Sequence, residues 1–174
     1  MLKDYLPIVA AIAACLLIIG ALTRNTWLEL FRARKLKRAL ALALQEEVRT
    51  LLDIFEKRGY IEGLRTAKAQ TEATGKFQAY HFKAQQKYFT VFETNAEQIV
   101  MLRPPLSELV TRFYAQAKFI LDDMERFEKL DPATVDPVQA IAAYDEVLGV
   151  FEGTISLGRR IVQEVSRRYP KVLP

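Results

Sequence analysis

Hydrophobic positions recur at three- and four-residue steps along most of the chain, and no block of alternating polar and apolar residues competes with them. The pattern predicts an all-α fold. One stretch departs from that rhythm. Residues Tyr5 to Leu22, YLPIVAAIAACLLIIGAL, carry no charge. As a helix at 1.5 Å per residue they are roughly 27 Å long, close to the ~30 Å hydrocarbon core of a bilayer. Pro7 falls in the first turn, where a missing N–H costs little. This run predicts a transmembrane anchor over residues 1–25.

Behind the anchor, residues 26–58 combine a basic juxtamembrane segment with a long first helix. From about Trp27 to Lys57, Leu36, Leu40, Leu44, Val48, Leu51, Leu52 and Phe55 share one face. Lys57 and Arg58 suit the negative end of that helix, and Gly59 supplies a stop. The rest of the bundle occupies residues 59–170. Tyr60 to Lys76 reads as a short helix closing in a loop at Thr74-Gly75-Lys76. A third helix is expected from Phe77, with Phe77, Tyr80, Ala84, Tyr88 and Phe92 on a stripe that continues to Ala96 and Ile99.

Arg103-Pro104-Pro105 ends that helix and opens the next, since proline is tolerated in a first turn. Leu106, Leu109, Val110, Phe113, Ala117, Ile120, Leu121, Met124 and Phe127 then form the cleanest amphipathic pattern in the chain. Asp131 to Pro137 is a turn. Asp136 is placed as an N-cap, Pro137 as the first helical residue, and Gln139 three residues after the cap as in a capping box. The last helix presents Ile141, Tyr144, Leu148, Phe151, Ile155, Val162 and Val165 to a core, and ends near Tyr169-Pro170, leaving residues 171–174 as a tail. Gly149, Gly153 and Gly158 each cost a helix interior ~1 kcal/mol relative to alanine, so a compensating reason is expected. Gly149 and Gly153, four apart, fit close packing of a neighbouring helix. A kink is the alternative. Together these elements predict an N-terminal transmembrane helix followed by an antiparallel bundle of about four helices.

Charge sets an orientation. Between residues 24 and 38 stand six cations, Arg24, Arg32, Arg34, Lys35, Lys37 and Arg38, against one acid, Glu29. The other flank of the uncharged run has Lys3 beside Asp4. Positive charge retained next to a span marks the cytoplasmic side, so the expected topology is N-terminus outside and C-terminal domain in the cytosol. Trp27 fits the interfacial belt. A cleaved secretory signal has a 7–15-residue apolar core preceded by positive charge, whereas this run is longer and its charge comes after it. The chain as a whole carries +4, from 25 Lys/Arg and 21 Asp/Glu. Residues 39–174 hold 18 of those cations and 19 of the acids, so the excess belongs to the segment beside the span. That distribution disfavours nucleic acid as a partner and points to the bilayer, with anionic headgroups attracted at ~1 kcal/mol per nearby cation. A role in fixing topology alone accounts for the same residues.

Candidate chemistry is thin. Thr74-Gly75-Lys76 ends like a phosphate-binding loop, but Gln70 stands where the motif needs glycine and Phe77 where it needs a hydroxyl. His81 is the sole histidine, and Cys15, the sole cysteine, lies in the apolar run. No multi-histidine metal site or intrachain disulfide can be built from them. The acidic pairs Glu46-Glu47, Asp122-Asp123 and Asp145-Glu146 diverge by ~100° on a helix and do not converge as a catalytic dyad would. The expectation is therefore no enzyme activity, no metal and no cofactor. Phe82 and Phe89, seven apart and off the main aromatic stripe, are the candidates for a surface that meets a partner helix or a second copy.

The segment Tyr88 to Leu106, YFTVFETNAEQIVMLRPPL, followed by Val110-Thr-Arg-Phe-Tyr114, resembles one found in uncharacterised bacterial single-pass membrane proteins. Their pattern runs from an aromatic-Glu-x-Asn segment through a proline to a helix bearing Phe-Tyr. Val100 stands here where that pattern has glycine. The resemblance implies an anchored all-helical domain and assigns no activity. The resulting expectation is a bacterial inner-membrane protein whose cytosolic helical domain serves as an interaction or regulatory module, with a protein partner or a homo-oligomer. The alternative is an extracytoplasmic sensor or phage-type envelope protein of inverted topology.

Overall fold

The stop at Gly59 is where the architecture begins to be set. Its φ of 61° lies in the left-handed region that glycine enters without a Cβ penalty, and there the first helix ends and the second begins. A computed structural model describes residues 2–80 and 88–170, with side chains from residue 26 onward. Its helices are α1 (Leu2–Lys57), α2 (Tyr60–Thr74), α3 (Thr90–Thr94), α4 (Leu106–Glu128) and α5 (Pro137–Arg168), with a 3-10 helix at Ala96–Met101. No strand occurs among the described residues, so the fold is all-α. Contacts divide the chain into two units, Met1–Ala39 and Leu40–Pro174.

Within the second unit α5 is the common wall. Along α4 its partners descend as its own numbers rise: Phe127 stacks on Tyr144 at 5.2 Å, the Thr154 hydroxyl meets Gln116, and Arg168 donates to the carbonyls of Arg103 and Pro104. The two helices are therefore antiparallel. The end of α1 also runs against α5, with Phe55 edge-on to Phe151 at 5.1 Å and Gln45 donating to the Val162 carbonyl and the Ser166 hydroxyl. Past the turn at Gly59, α2 continues in the same sense. Its Arg65 meets Glu152 and its Lys68 meets Asp145. At 32 residues α5 is roughly 48 Å long, enough to cover both helices in tandem.

The core has two parts along that wall. Leu40, Ala41, Leu44, Val48 and Leu51 of α1 pack with Leu106, Val110, Phe113 and Ala117 of α4 and Leu157, Ile161 and Val165 of α5. Farther along, Phe55, Tyr60 and Leu64 join Ile120, Met124 and Phe127 and the start of α5 at Tyr144, Leu148 and Phe151. The expected N-cap forms, with an Asp136 carboxylate oxygen accepting from the Val138 N–H at 3.0 Å and Pro137 in the first turn.

Several expectations are corrected. No long helix runs from Phe77: residues 77–80 are irregular, residues 81–87 lie outside the described set, and the chain then forms only α3 and the 3-10 helix. The aromatic spacing imitated a helical stripe because the rings serve two separate places. Phe77 stacks with Phe127 and Tyr144 in one half of the core, while Phe89 and Phe92 pack on Tyr114 in the other. Leu36, assigned to the buried stripe, is exposed, and Ile141, Ile155 and Val162 are half-buried rather than inside. The close glycine contact also falls elsewhere than Gly149 and Gly153. A Cβ on Gly149 would meet open space and one on Gly153 only an ordinary contact with Gln116, but at Gly158 it would come within 2.9 Å of Leu52 and Phe113. Gly158 is where α5 admits its neighbours.

Candidate functional site

The first unit supplies the clearest surface. Over residues 26–38 α1 turns its side chains to solvent, only Lys37 being half-buried. Trp27 is 74% exposed, and Leu28, Leu30, Phe31 and Leu36 are exposed as well. These five are clustered within ten residues, whereas the other exposed large apolar side chains of the described chain, Val100, Met101, Phe119 and Val138, are scattered over the second unit. Isolated exposed apolar residues are normal, whereas five within ten residues of one helix make this stretch the candidate interaction surface.

Arg32, Arg34, Lys35, Lys37 and Arg38 are interleaved with that group, and the side chain of Arg24 lies outside the described set. At 100° per residue Trp27, Phe31, Arg34, Lys35 and Arg38 share an arc of about 100°, with Glu29 on the opposite side. The Lys35 ammonium sits 4.7 Å from the centre of the Phe31 ring, a cation–aromatic pair one helical turn apart. Among the described residues no helix is long and apolar enough to cross a membrane. The uncharged run Tyr5–Leu22, on which the anchor expectation rests, lies outside the residues whose side chains are described.

The second candidate surface is overturned in its described part. Phe89 is only 9% exposed and meets the Tyr114 ring edge-on at 5.5 Å, so it belongs to the core and cannot receive a partner. Phe82 and His81 lie outside the described residues.

What the periodicity did not reveal is a polar latch beside Phe89. The Glu47 carboxylate accepts from the Tyr114 hydroxyl at 2.5 Å and from the N–H groups of Val91 and Phe92 at 2.6 and 3.2 Å. It thereby satisfies the open donors at the start of α3, which has no capping side chain of its own. The Phe92 ring stacks on Tyr114 at 4.0 Å. Burial pushes the Tyr114 phenol well above its ordinary range, and the adjacent Glu47 carboxylate adds to the shift. The latch holds a neutral phenol as donor and fastens α3 between α1 and α4. Its sequence signal was an acid beside the apolar face of Leu40, Leu44 and Val48.

A cavity of about 390 Å³ lies between the end of α4 and the start of α5, walled by Phe127, Leu130, Val135 and Ala140. Asp123, at its rim, is raised by burial and held back by Arg126, which approaches it to 3.5 Å. Glu146 and Asp136 line the same cavity: Glu146 adds to the upward shift on Asp123, and the Asp136 carboxylate accepts from the Val138 N–H as the cap of α5. Among the described residues no group of three metal-ligating side chains converges. Thr74 and Gly75 form a helix end, with the Gly75 N–H on the Thr71 carbonyl. No family model, curated protein or solved structure matches the chain.

Proposed function

We propose that this chain is a bacterial inner-membrane protein, held by a single span at Tyr5–Leu22, whose helical domain from Leu40 onward faces the cytosol and works by binding a protein partner or a second copy rather than by catalysis. The observation that carries the reading is the exposed stretch Trp27 to Arg38 directly after an uncharged run of bilayer length. Side chains such as Trp27 and Phe31 are costly to leave in water, and five cations in seven residues resist translocation. The resemblance of Tyr88–Tyr114 to bacterial single-pass proteins supports the same reading. The second unit contributes a packed, near-neutral scaffold, in keeping with a module that presents a surface.

C-terminal reporter fusions test the topology. A fluorescent reporter active in the cytoplasm is the expected result, and periplasmic phosphatase activity instead would establish the inverted topology. Crosslinking of the full chain in its native membrane tests the partner: reproducible capture of one protein, or of a second copy, is expected, and repeated failure to capture either contradicts an interaction role.

A further inference from the structure

We propose that the cavity between the end of α4 and the start of α5 is a binding site for a small amphipathic organic cation, a protonated amine carried on an apolar or aromatic body. The site lies wholly within the second unit and does not depend on the membrane-anchored reading. Its volume of about 390 Å³ falls in the lower part of the ~300–1,000 Å³ range of small-molecule sites. Phe127, Ala140 and Val147 are the buried part of its lining, and Leu130, Val135 and Ala143 are half-buried beside them. The turn that brings Val135 to this lining is already fastened. The Asp131 carboxylate accepts from the Ala133 N–H, and the Asp131 carbonyl accepts from the N–H and the hydroxyl of Thr134, each at 3.0 Å. With the wall preformed, a ligand does not have to order it on binding.

Charge selects the occupant. Asp123 comes from α4 and Glu146 from α5, so like charges line one cavity from both of the helices that form it. Burial raises the Asp123 carboxyl most, Arg126 opposes the rise, and Glu146 and then Asp122 add to it. Arg126 is a poor counter-ion. It approaches Asp123 only to 3.5 Å and keeps 77% of its side chain exposed, whereas the Asp123 side chain is 14% exposed. Asp123, Asp136 and Glu146 against Arg126 leave the described lining with two negative charges in excess. A ligand ammonium between Asp123 and Glu146 relieves their repulsion, while its body covers Phe127 and Val147. An inorganic cation would leave that apolar lining uncovered, and among the described residues no three metal-ligating side chains converge. An anion would be repelled, and a neutral ligand would bury carboxylates without a counter-charge.

Phenethylammonium is the probe and 2-phenylethanol its neutral counterpart, each titrated into the full chain in a non-ionic detergent and followed by amide NMR. Saturable shifts centred on Asp123, Phe127, Ala140, Ala143 and Glu146 are expected with phenethylammonium, and the alcohol binds about tenfold more weakly, the worth of one charge-assisted contact. Glu146→Gln, at an exposed position, and Asp123→Asn each weaken the ammonium by about tenfold and leave the alcohol unchanged, with the amide spectrum away from the cavity reporting an intact fold. Ala143→Leu fills the cavity and abolishes binding of both. Equal affinity for ammonium and alcohol, or an ammonium affinity indifferent to both charge variants, overturns the proposal. Shifts that are absent, or confined to residues away from the cavity, overturn it too. Failure of phenethylammonium beside saturable binding of a lysine-rich peptide at the same amides assigns the cavity to a partner's basic side chain and overturns the small-molecule site. Each of these results leaves the anchored reading standing, since the reporter fusions test that separately.

Discussion

Two stretches of α1 have similar apolar content and opposite fates. Leu40, Ala41, Leu44, Val48 and Leu51 are buried, whereas Trp27, Leu28, Leu30, Phe31 and Leu36 are exposed. Leu40 to Leu51 keep their apolar positions on one arc, which α4 and α5 cover. Residues 27–36 scatter theirs around the helix and set cations between them. A one-sided stripe is covered by protein, and the proposed reading gives the mixed apolar and cationic belt to the membrane side of the molecule. Folding energetics belong to the first stretch, and the proposed function assigns location to the second.

Truncating the packed side draws that contrast most sharply. Phe151→Ala removes a fully buried ring that touches Phe55 and Tyr60, and is expected to destabilise the domain by ~3–5 kcal/mol in denaturant unfolding. Glu47→Ala comes next. It leaves the buried Tyr114 hydroxyl and two α3 donors without their acceptor, a loss of ~1–3 kcal/mol, with faster amide exchange at Val91 and Phe92 as its local signature. Glu47→Gln, which keeps an acceptor oxygen, costs less.

The glycines of α5 give the comparison a change of sign. Gly158→Leu drives a side chain into Leu52 and Phe113 and is expected to cost ~1–3 kcal/mol. Gly149→Ala fills open space and restores helix propensity, raising stability by up to ~1 kcal/mol in the same assay. At the exposed stretch, Trp27→Ala shifts the unfolding of the domain by no more than ~0.5 kcal/mol. A larger shift would mean that Trp27 takes part in the fold.

Acid acts on the packed side as well. Arg167 and then Arg168 hold the Glu164 carboxyl at about 2, below its ordinary 4.5. A lowered carboxyl stabilises the folded state at pH above its unfolded value, and that contribution is lost as pH falls from about 4.5 to about 2. Arg167 is well exposed, so solvent screening keeps the effect small. Glu164→Gln should flatten the pH dependence of stability in that window and leave neutral pH nearly unchanged.

How much of this was legible depends on the partners each element needs. The buried face of α4 could be read at most positions because one amphipathic stripe has one partner side, although Leu121, placed on it, is half-buried and the buried Tyr114 was left off it. Asp136 and Pro137 could be read because capping is local. The aromatic stretch after Phe77 was misread because its rings satisfy a helical spacing by coincidence while packing against different helices. Phe89 was misread as a surface for the same reason. At Gly149, Gly153 and Gly158 the sequence announced that something approaches α5, but only the crossing of Leu52 and Phe113 says where. Glu47 announced itself only as an acid out of place, since its partners lie 44 to 67 residues away.

The central claim is that lipid completes the chain before Leu40 while protein completes it from Leu40 onward. Alkaline extraction of cell membranes carrying the full chain, coupled to intact mass measurement, tests it most directly. The account predicts an uncleaved polypeptide that stays with the membrane pellet and is released by detergent alone. A chain recovered in the supernatant without detergent, or trimmed behind the uncharged run, would contradict it.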